Sequence, residues 1–170
     1  MLFLPGSYST HSGWSGVQNA LKGSYRLITT SLPGYGGSKE IRPANVHDMS
    51  GMTDFVARVV AQIGAPVHLV GHSYGGLNVL AAALSGRVKP LSLITFEANP
   101  IYARPETGEF SWSQSMLEMA AGFETAYASN DLDAAGIIID FWGGAGTFKN
   151  MPAQFQDYCR SVVYTNILDS

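Results

Sequence analysis

The chain has 170 residues, of which 46% are hydrophobic and 14% are charged, and its formal net charge is −3. This composition supplies the core of one globular domain, and the lack of any Lys and Arg cluster excludes a phosphate-rich partner such as nucleic acid. No run of about 18 apolar residues predicts a membrane span, and the lone cysteine, Cys159, without a visible signal peptide, favours the cytoplasm.

Short apolar runs alternate with helical patterns over the first hundred residues. Four runs predict strands, at residues 2–4, 26–30, 67–70 and 91–96. Three segments between them predict helices, at residues 14–21, 49–63 and 75–84. The second helix has the clearest apolar periodicity, and we expect Asp48 as its N-cap and Gly64 as its stop signal. The alternation predicts a three-layer α/β/α fold around a mostly parallel sheet.

The pattern changes after residue 100. Strand signals stop, and three helical stretches rich in Met and aromatic residues follow, the last two separated by a glycine-rich linker at residues 143–146. We therefore predict two parts, an α/β core at residues 1–100 and a helical lid at residues 101–170.

A glycine-rich motif follows the third predicted strand. Gly71-His72-Ser73-Tyr74-Gly75 matches G-x-S-x-G between a strand and a helix, and Gly76 comes next. A serine in such a sharp turn presents its hydroxyl above the sheet edge, while the glycines avoid clashes in the tight packing. The helix start adds free N–H groups beside a developing oxyanion. The motif predicts that Ser73 is a nucleophile; a passive serine in a glycine-rich turn is the alternative.

Three further segments match one known family in chain order. They are Leu4-Pro5-Gly6-Ser7, Trp14 and Leu32-Pro33-Gly34-Tyr35-Gly36-Gly37-Ser38. Together with the serine motif, they make residues 2–100 resemble the α/β-hydrolase superfamily, in its lid-bearing esterase-like branch. Two positions differ from the family's usual pattern, because Pro5 stands where His is common and Ser31 where Asp is usual.

The resemblance implies a catalytic site. Ser73 would attack an ester or related acyl bond and form an acyl-enzyme, and the backbone N–H groups of Ser7 and Tyr74 would form the oxyanion hole. Glu97 ends the strand after the nucleophile, where a subset of the superfamily has its triad acid; a structural or pocket-wall carboxylate is the alternative. For Ser7, a plain turn residue is the alternative. The sequence has no GxGxxG motif, Walker loop or Cys/His metal spacing, so we expect no cofactor and no metal.

The expected substrate is a small apolar ester or acyl compound. The aromatic and Met content of the lid favours an apolar pocket. Four side chains are candidates for its lining: His11, His72, Trp112 and Met116. Ordinary packing is the alternative for each of the two lid residues, and His11 is also a candidate for a substitute base.

The usual base is missing from the expected place. In this fold the chain order is Ser, then Asp or Glu, then His. All four histidines precede Ser73, namely His11, His47, His68 and His72. We therefore expect an incomplete hydrolase fold whose open sheet edge favours a homo-oligomer. The alternative is a non-catalytic remnant that binds a small apolar ligand or a partner.

Overall fold

The computed structural model describes residues 1–44, 48–98 and 110–169, and only the backbone of residues 110–113. The chain divides into two compact units, Met1–Pro100 with Asp169, and Ile101–Leu168. The first unit contains the sheet and the helices that connect its strands, and the second is helical. No helix in the described ranges is both long and apolar enough to cross a membrane.

A parallel sheet of four strands forms the first unit. The strands are β1 (Leu2–Leu4), β2 (Ile28–Thr29), β3 (His68–His72) and β4 (Ser92–Phe96). Their order is β2-β1-β3-β4, and each neighbouring pair is parallel. Leu4 lies opposite Gly71, and His72 lies opposite Phe96, so the carboxyl ends of β1, β3 and β4 meet at one sheet edge. Ligands of parallel sheets collect at this edge.

The connecting helices confirm the α/β class that the sequence predicts. They are α1 (Ser15–Leu21), α2 (Ser50–Ile63) and α3 (Tyr74–Leu84), and a 3-10 turn at His11–Trp14 precedes α1. Met49, not Asp48, is the N-cap of α2, although the Asp48 carboxylate accepts the N–H of Ser50 at 2.8 Å. Gly64 ends α2 with a φ of 64°, a left-handed conformation that favours glycine.

The core of the first unit forms around β1 and β3. Leu2, Leu4 and Leu69 are fully buried, and each such side chain contributes roughly 1.5–3 kcal/mol through its removal from water. The Phe3 ring packs against Trp14 with ring centroids 5.1 Å apart. Met52 and Val56 supply the buried face of α2, which packs on α3. This core fixes the ends of β1 and β3, where the serine motif lies.

The second unit contains five helices in the described range. They are α4 (Phe110–Ala128), α5 (Ala135–Gly143), α6 (Thr147–Asn150), α7 (Ala153–Ser161) and α8 (Val163–Ile167). The sequence predicts three, because the short α6 follows the glycine-rich linker and a break at Val162 divides the last stretch. The Asp140 carboxylate accepts the N–H groups of Gly146 and Phe148, at 2.9 and 2.7 Å, and thereby holds the start of α6.

Candidate active site

Ser73 lies in a strained turn between β3 and α3. Its φ and ψ are 51° and −125°, in a region that residues with a side chain rarely adopt and that costs about 1–3 kcal/mol. Two backbone hydrogen bonds hold the turn: the Ser73 N–H donates to the Phe96 carbonyl at 2.8 Å, and the Ser73 carbonyl accepts the Leu77 N–H at 3.1 Å. The sharp strand-to-helix turn that the motif predicts is therefore present at the sheet edge.

Glycines let the end of β1 approach the start of α3. A Cβ atom on Gly75 would collide with the Pro5 carbonyl oxygen and lie 2.6 Å from that of Leu4. A Cβ on Gly71 would lie 2.5 Å from the Gly75 carbonyl oxygen. These contacts are with backbone, which has little freedom to move away, so both positions require glycine. The close approach brings residues 5–7, here called the β1 loop, beside Ser73.

Two backbone donors adjoin the nucleophile candidate. A Cβ on Gly6 would lie 3.0 Å from the Ser73 Cβ, so the β1 loop touches the serine turn. Tyr74 is the first residue of α3, and the first N–H groups of a helix have no acceptor within it. Within the part of the chain that the structure describes, neither the Tyr74 N–H nor the Ser7 N–H donates a hydrogen bond. Free N–H groups at such positions suit a developing oxyanion.

A buried ion pair contacts the side chains of both donor residues. Arg42 Nη1 donates to Asp169 Oδ1 at 2.6 Å and to the Tyr74 hydroxyl at 3.2 Å. The other carboxylate oxygen, Asp169 Oδ2, accepts the Ser7 hydroxyl at 2.5 Å and the Tyr35 hydroxyl at 2.6 Å. The Arg42 and Asp169 side chains are only 3% and 5% exposed. Asp169 belongs to the first unit, so the whole network lies within that unit.

Burial and mutual contacts shift the pKa values in this network. Burial raises the pKa of the Asp169 carboxyl, against the opposing effects of the Arg42 charge and the two hydroxyl donors. Burial disfavours the charged Arg42, yet the hydrogen bond to Glu40 and the charge of Asp169 raise its pKa. Burial likewise works against the Glu40 carboxylate, but its hydrogen bonds with Arg42 lower its pKa. Burial raises the pKa of Tyr74, so its hydroxyl stays protonated.

Sequence reasoning missed this network. Asp169 is 162 residues from Ser7 and 127 residues from Arg42, and no local pattern links positions so far apart. The one signal in the sequence is the Glu40-x-Arg42 spacing, since Arg42 Nε and Nη2 both donate to the Glu40 carboxylate, at 2.9 and 2.8 Å. This spacing of an acidic and a basic residue is common on exposed loops, so it does not by itself identify Glu40 and Arg42 as part of a site.

A cavity of about 610 Å³ opens beside His72 in the first unit, and its lining does not include Ser73, Ser7 or Tyr74. Its wall includes Trp14, Phe96, His72 and Glu97. His72 Nε2 lies 3.2 Å from Glu97 Oε2, and these side chains are 44% and 81% exposed. The structure thus brings the predicted triad acid to the elbow histidine, next to Ser73 in the chain. Within residues 1–44, 48–98 and 110–169, no three His, Cys, Asp or Glu side chains form a metal-binding group.

The other expected pocket residues lie elsewhere or beyond the description. His11 is absent from the lining of this cavity; its N–H donates to the Ser31 hydroxyl at 3.0 Å, and its ring Nδ1 lies 3.4 Å from the same oxygen. Met116 is buried in the second unit. The side chain of Trp112, and all of His47, lie outside the described residues. Of the four candidates, His72 is the one that the described structure brings to this cavity.

Two known proteins are similar to this chain in sequence. A pimeloyl-[acyl-carrier protein] methyl ester esterase of Aliivibrio salmonicida is 34% identical over 90 residues, which are 53% of this chain and 32% of that protein. The esterase of the same name from Aeromonas salmonicida is 30% identical over 118 residues, 69% of this chain and 43% of its own. The chain therefore spans less than half the length of these curated relatives.

The fold comparison extends over nearly the whole chain. An alpha/beta hydrolase from Sphaerobacter thermophilus superposes with a TM-score of 0.69 over 99% of this chain and 63% of its own, at 18% identity. That likeness shows the fold. The family model described as "Alpha/beta hydrolase family" matches residues 1–164. The chain belongs to the alpha/beta hydrolase family.

Proposed function

We propose that this protein is a serine hydrolase of the esterase type, which cleaves its substrate through an acyl-enzyme on Ser73. The observation that carries the proposal is the strained turn at Ser73, beside the N–H groups of Ser7 and Tyr74, which donate to no acceptor among the described residues. The similarity to methyl ester esterases supports the reaction class.

The proposed reaction has two steps. Ser73 Oγ attacks the ester carbonyl, a base takes the serine proton, and the two N–H groups stabilise the oxyanion; each such donor is typically worth about 10²–10³ in rate. The intermediate then expels the alcohol, which receives the proton from the base. A water molecule, activated by the same base, attacks the acyl-enzyme and releases the acid, which frees Ser73.

We propose that the base is a histidine outside these 170 residues, because every histidine of the chain precedes Ser73. Glu97 is our candidate for the acid that orients this base. In the structure its carboxylate contacts His72 at the cavity wall, on the carboxyl side of β4. This position at the active edge of the sheet supports the assignment, while the 81% exposure of its side chain leaves it accessible to an incoming imidazole.

The substrate we propose is a small apolar ester. Trp14 and Phe96 give the cavity an aromatic wall, with ring centroids 6.3 Å apart, and aromatic surfaces favour apolar acyl groups. The relatives named above are pimeloyl-[acyl-carrier protein] methyl ester esterases, which supports an ester as the substrate class. We also propose a cytoplasmic location, since Cys159 is a free thiol and reducing compartments keep thiols in that state.

The missing downstream histidine favours a second candidate function. Without a base, a serine hydroxyl is a weak nucleophile, so the chain would act as a non-catalytic binding protein for a small apolar ligand or a partner. The same cavity would then hold the ligand without cleavage. The two functions differ in one measurable property, the reactivity of Ser73.

A fluorophosphonate probe measures that reactivity directly. We expect the folded chain to form a covalent adduct slowly, at a site that mass spectrometry locates on Ser73, because oxyanion donors and binding alone retain about 10³–10⁴-fold acceleration over water when the base is absent. Ser73→Ala abolishes the adduct, and Ser161→Ala, which removes an exposed hydroxyl in the second unit, leaves its rate unchanged. A folded chain that stays unlabelled would overturn the esterase proposal and support the binding protein.

A further inference from the structure

One ion pair connects the two residues whose N–H groups adjoin Ser73. Asp169 accepts the Ser7 hydroxyl at 2.5 Å, and Arg42 donates to the Tyr74 hydroxyl at 3.2 Å. Ser7 lies in the β1 loop and Tyr74 begins α3, so the pair links two separate elements at the sheet edge. We propose that Arg42 and Asp169 are positioning residues for the oxyanion hole, an inference that rests on the proposed function.

Both charged groups of the network are engaged in several hydrogen bonds, as a group that positions other residues must be. Arg42 donates to Glu40, Asp169 and the Tyr74 hydroxyl, and Asp169 accepts one charged and two hydroxyl donors. Fully satisfied buried networks restrict the rotamers of all their members. The side chains of Ser7 and Tyr74 are therefore each held by a hydrogen bond to the ion pair. A displacement of either residue would lengthen its hydrogen bond to the ion pair.

Stability alone does not account for a charged pair at this place. Apolar side chains of similar volume often replace a buried ion pair without loss of stability. What the charged pair adds is a defined geometry, since each of its hydrogen bonds restricts one angle and one distance between the bonded groups. This geometry matters here because an N–H donor must lie within a narrow range of distances and angles from the oxyanion. A misplacement of about 1 Å costs about 100-fold in rate.

The inference predicts a specific kinetic signature. Neither Arg42 nor Asp169 touches the cavity wall, so their loss leaves the initial binding of an ester or a probe unchanged. It lowers the rate of the covalent step, in which the oxyanion forms. For fluorophosphonate labelling, we expect the maximal rate of adduct formation to fall about 10- to 100-fold, with the half-saturating probe concentration constant within twofold.

The test compares three variants of the purified chain by the dependence of labelling rate on probe concentration. Asp169→Asn removes the charge of the acceptor, and Asp169→Gly opens a space that added acetate fills. The double variant Arg42→Met with Asp169→Leu removes both charges of the buried pair and leaves only the Glu40 carboxylate, 19% exposed, without its partner, so it disturbs folding less than a single variant does. Circular dichroism gives the folded fraction, by which each rate is corrected. Asp133→Asn is the control, because it breaks another Arg–Asp pair, with Arg160 in the second unit.

Slower labelling of Asp169→Asn and of the double variant, with acetate restoring Asp169→Gly and the control unchanged, supports the positioning role. Labelling of the folded double variant at the rate of the unaltered chain overturns that role and leaves the proposed function intact. If the unaltered folded chain is not labelled at Ser73, the proposed function fails, and the positioning role fails with it. Labelling of the unaltered chain thus tests the proposed function, and labelling of the variants tests the positioning role.

Discussion

His72 Nε2 lies 3.2 Å from Glu97 Oε2, and this contact joins the serine turn to the end of β4. Both side chains are largely open to water, at 44% and 81% exposure. Exposed pairs of this kind contribute about 0–1 kcal/mol to stability, because water screens the charges and the side chains lose freedom. The contact therefore leaves Glu97 free to exchange His72 for another partner at little cost.

The first prediction follows from this exposure. Glu97→Gln should change the free energy of unfolding by less than about 1 kcal/mol, as measured by urea unfolding at neutral pH. His72→Ala is the matched variant on the other side of the contact and should have an equally small effect. A loss above about 2 kcal/mol in either variant would mean that the pair supports the fold, and would weaken the case for Glu97 as a catalytic acid.

The second prediction concerns the glycine contacts behind Ser73. Gly75→Ala places a Cβ against the carbonyl oxygens of Pro5 and Leu4, neither of which has room to retreat. We expect this variant to lose about 3 kcal/mol of stability through overpacking, and to label at Ser73 more slowly. Gly16→Ala is the control, since a Cβ there meets no atom within 4 Å and should shift stability by less than about 1 kcal/mol. Equal melting temperatures for the two variants would contradict the close packing of β1 on α3.

The third prediction concerns Cys159, whose thiol is buried. Burial raises its pKa to about 11, so at pH 8 about one thiol in a thousand is ionised. Because the thiolate is the reactive form, we expect a disulfide reagent to react at least about 100-fold more slowly with the native chain than with the urea-unfolded chain. The rate on the native chain should rise as the pH is raised toward 11. The reaction is followed by the absorbance of the released thiol, and this signal has one source because the sequence has one cysteine. Rapid labelling of the native chain at pH 8 would contradict the burial of Cys159.

The fourth prediction is a pH dependence that originates at Glu40. Its pKa in the folded chain is lowered, because hydrogen bonds with Arg42 outweigh burial. The unfolded chain then binds more protons than the folded chain, so Glu40 contributes stability above its ordinary pKa that is lost as the pH falls through the lowered value. Glu40→Gln should remove this contribution and flatten the curve of unfolding free energy against pH on the acid side. Asp169 has the opposite sign, since its pKa is raised. Parallel curves for the two proteins would contradict the Glu40–Arg42 pairing.

Local signals predicted the elements that position Ser73. The strand ends, the turn and the helix α3 depend on neighbouring residues, so apolar runs and glycines suffice to locate them. Strand β2 is shorter than the predicted 26–30, since β1 is three residues long and its pairing with β2 covers only Ile28 and Thr29. The Arg42–Asp169 network could not be predicted, because its members come from distant segments and polar residues show no periodicity. The long-range packing of the chain alone brings them together.

The fifth prediction concerns the exposed edge of β4. In the described part of the chain this strand pairs on one side, with β3, and its residues Ile94 and Phe96 are 40% and 52% exposed. An unpaired strand with exposed apolar side chains is a template for pairing with a second copy. We propose that the chain forms a homo-oligomer through this edge, and expect sedimentation to show a mass that rises with concentration. Ile94→Lys should reduce that association by placing like charges on facing strands, whereas Leu132→Lys, at an 80% exposed site in the second unit, should leave it unchanged. A monomer at all concentrations, or an Ile94→Lys variant that associates as before, would rule out this edge as the interface.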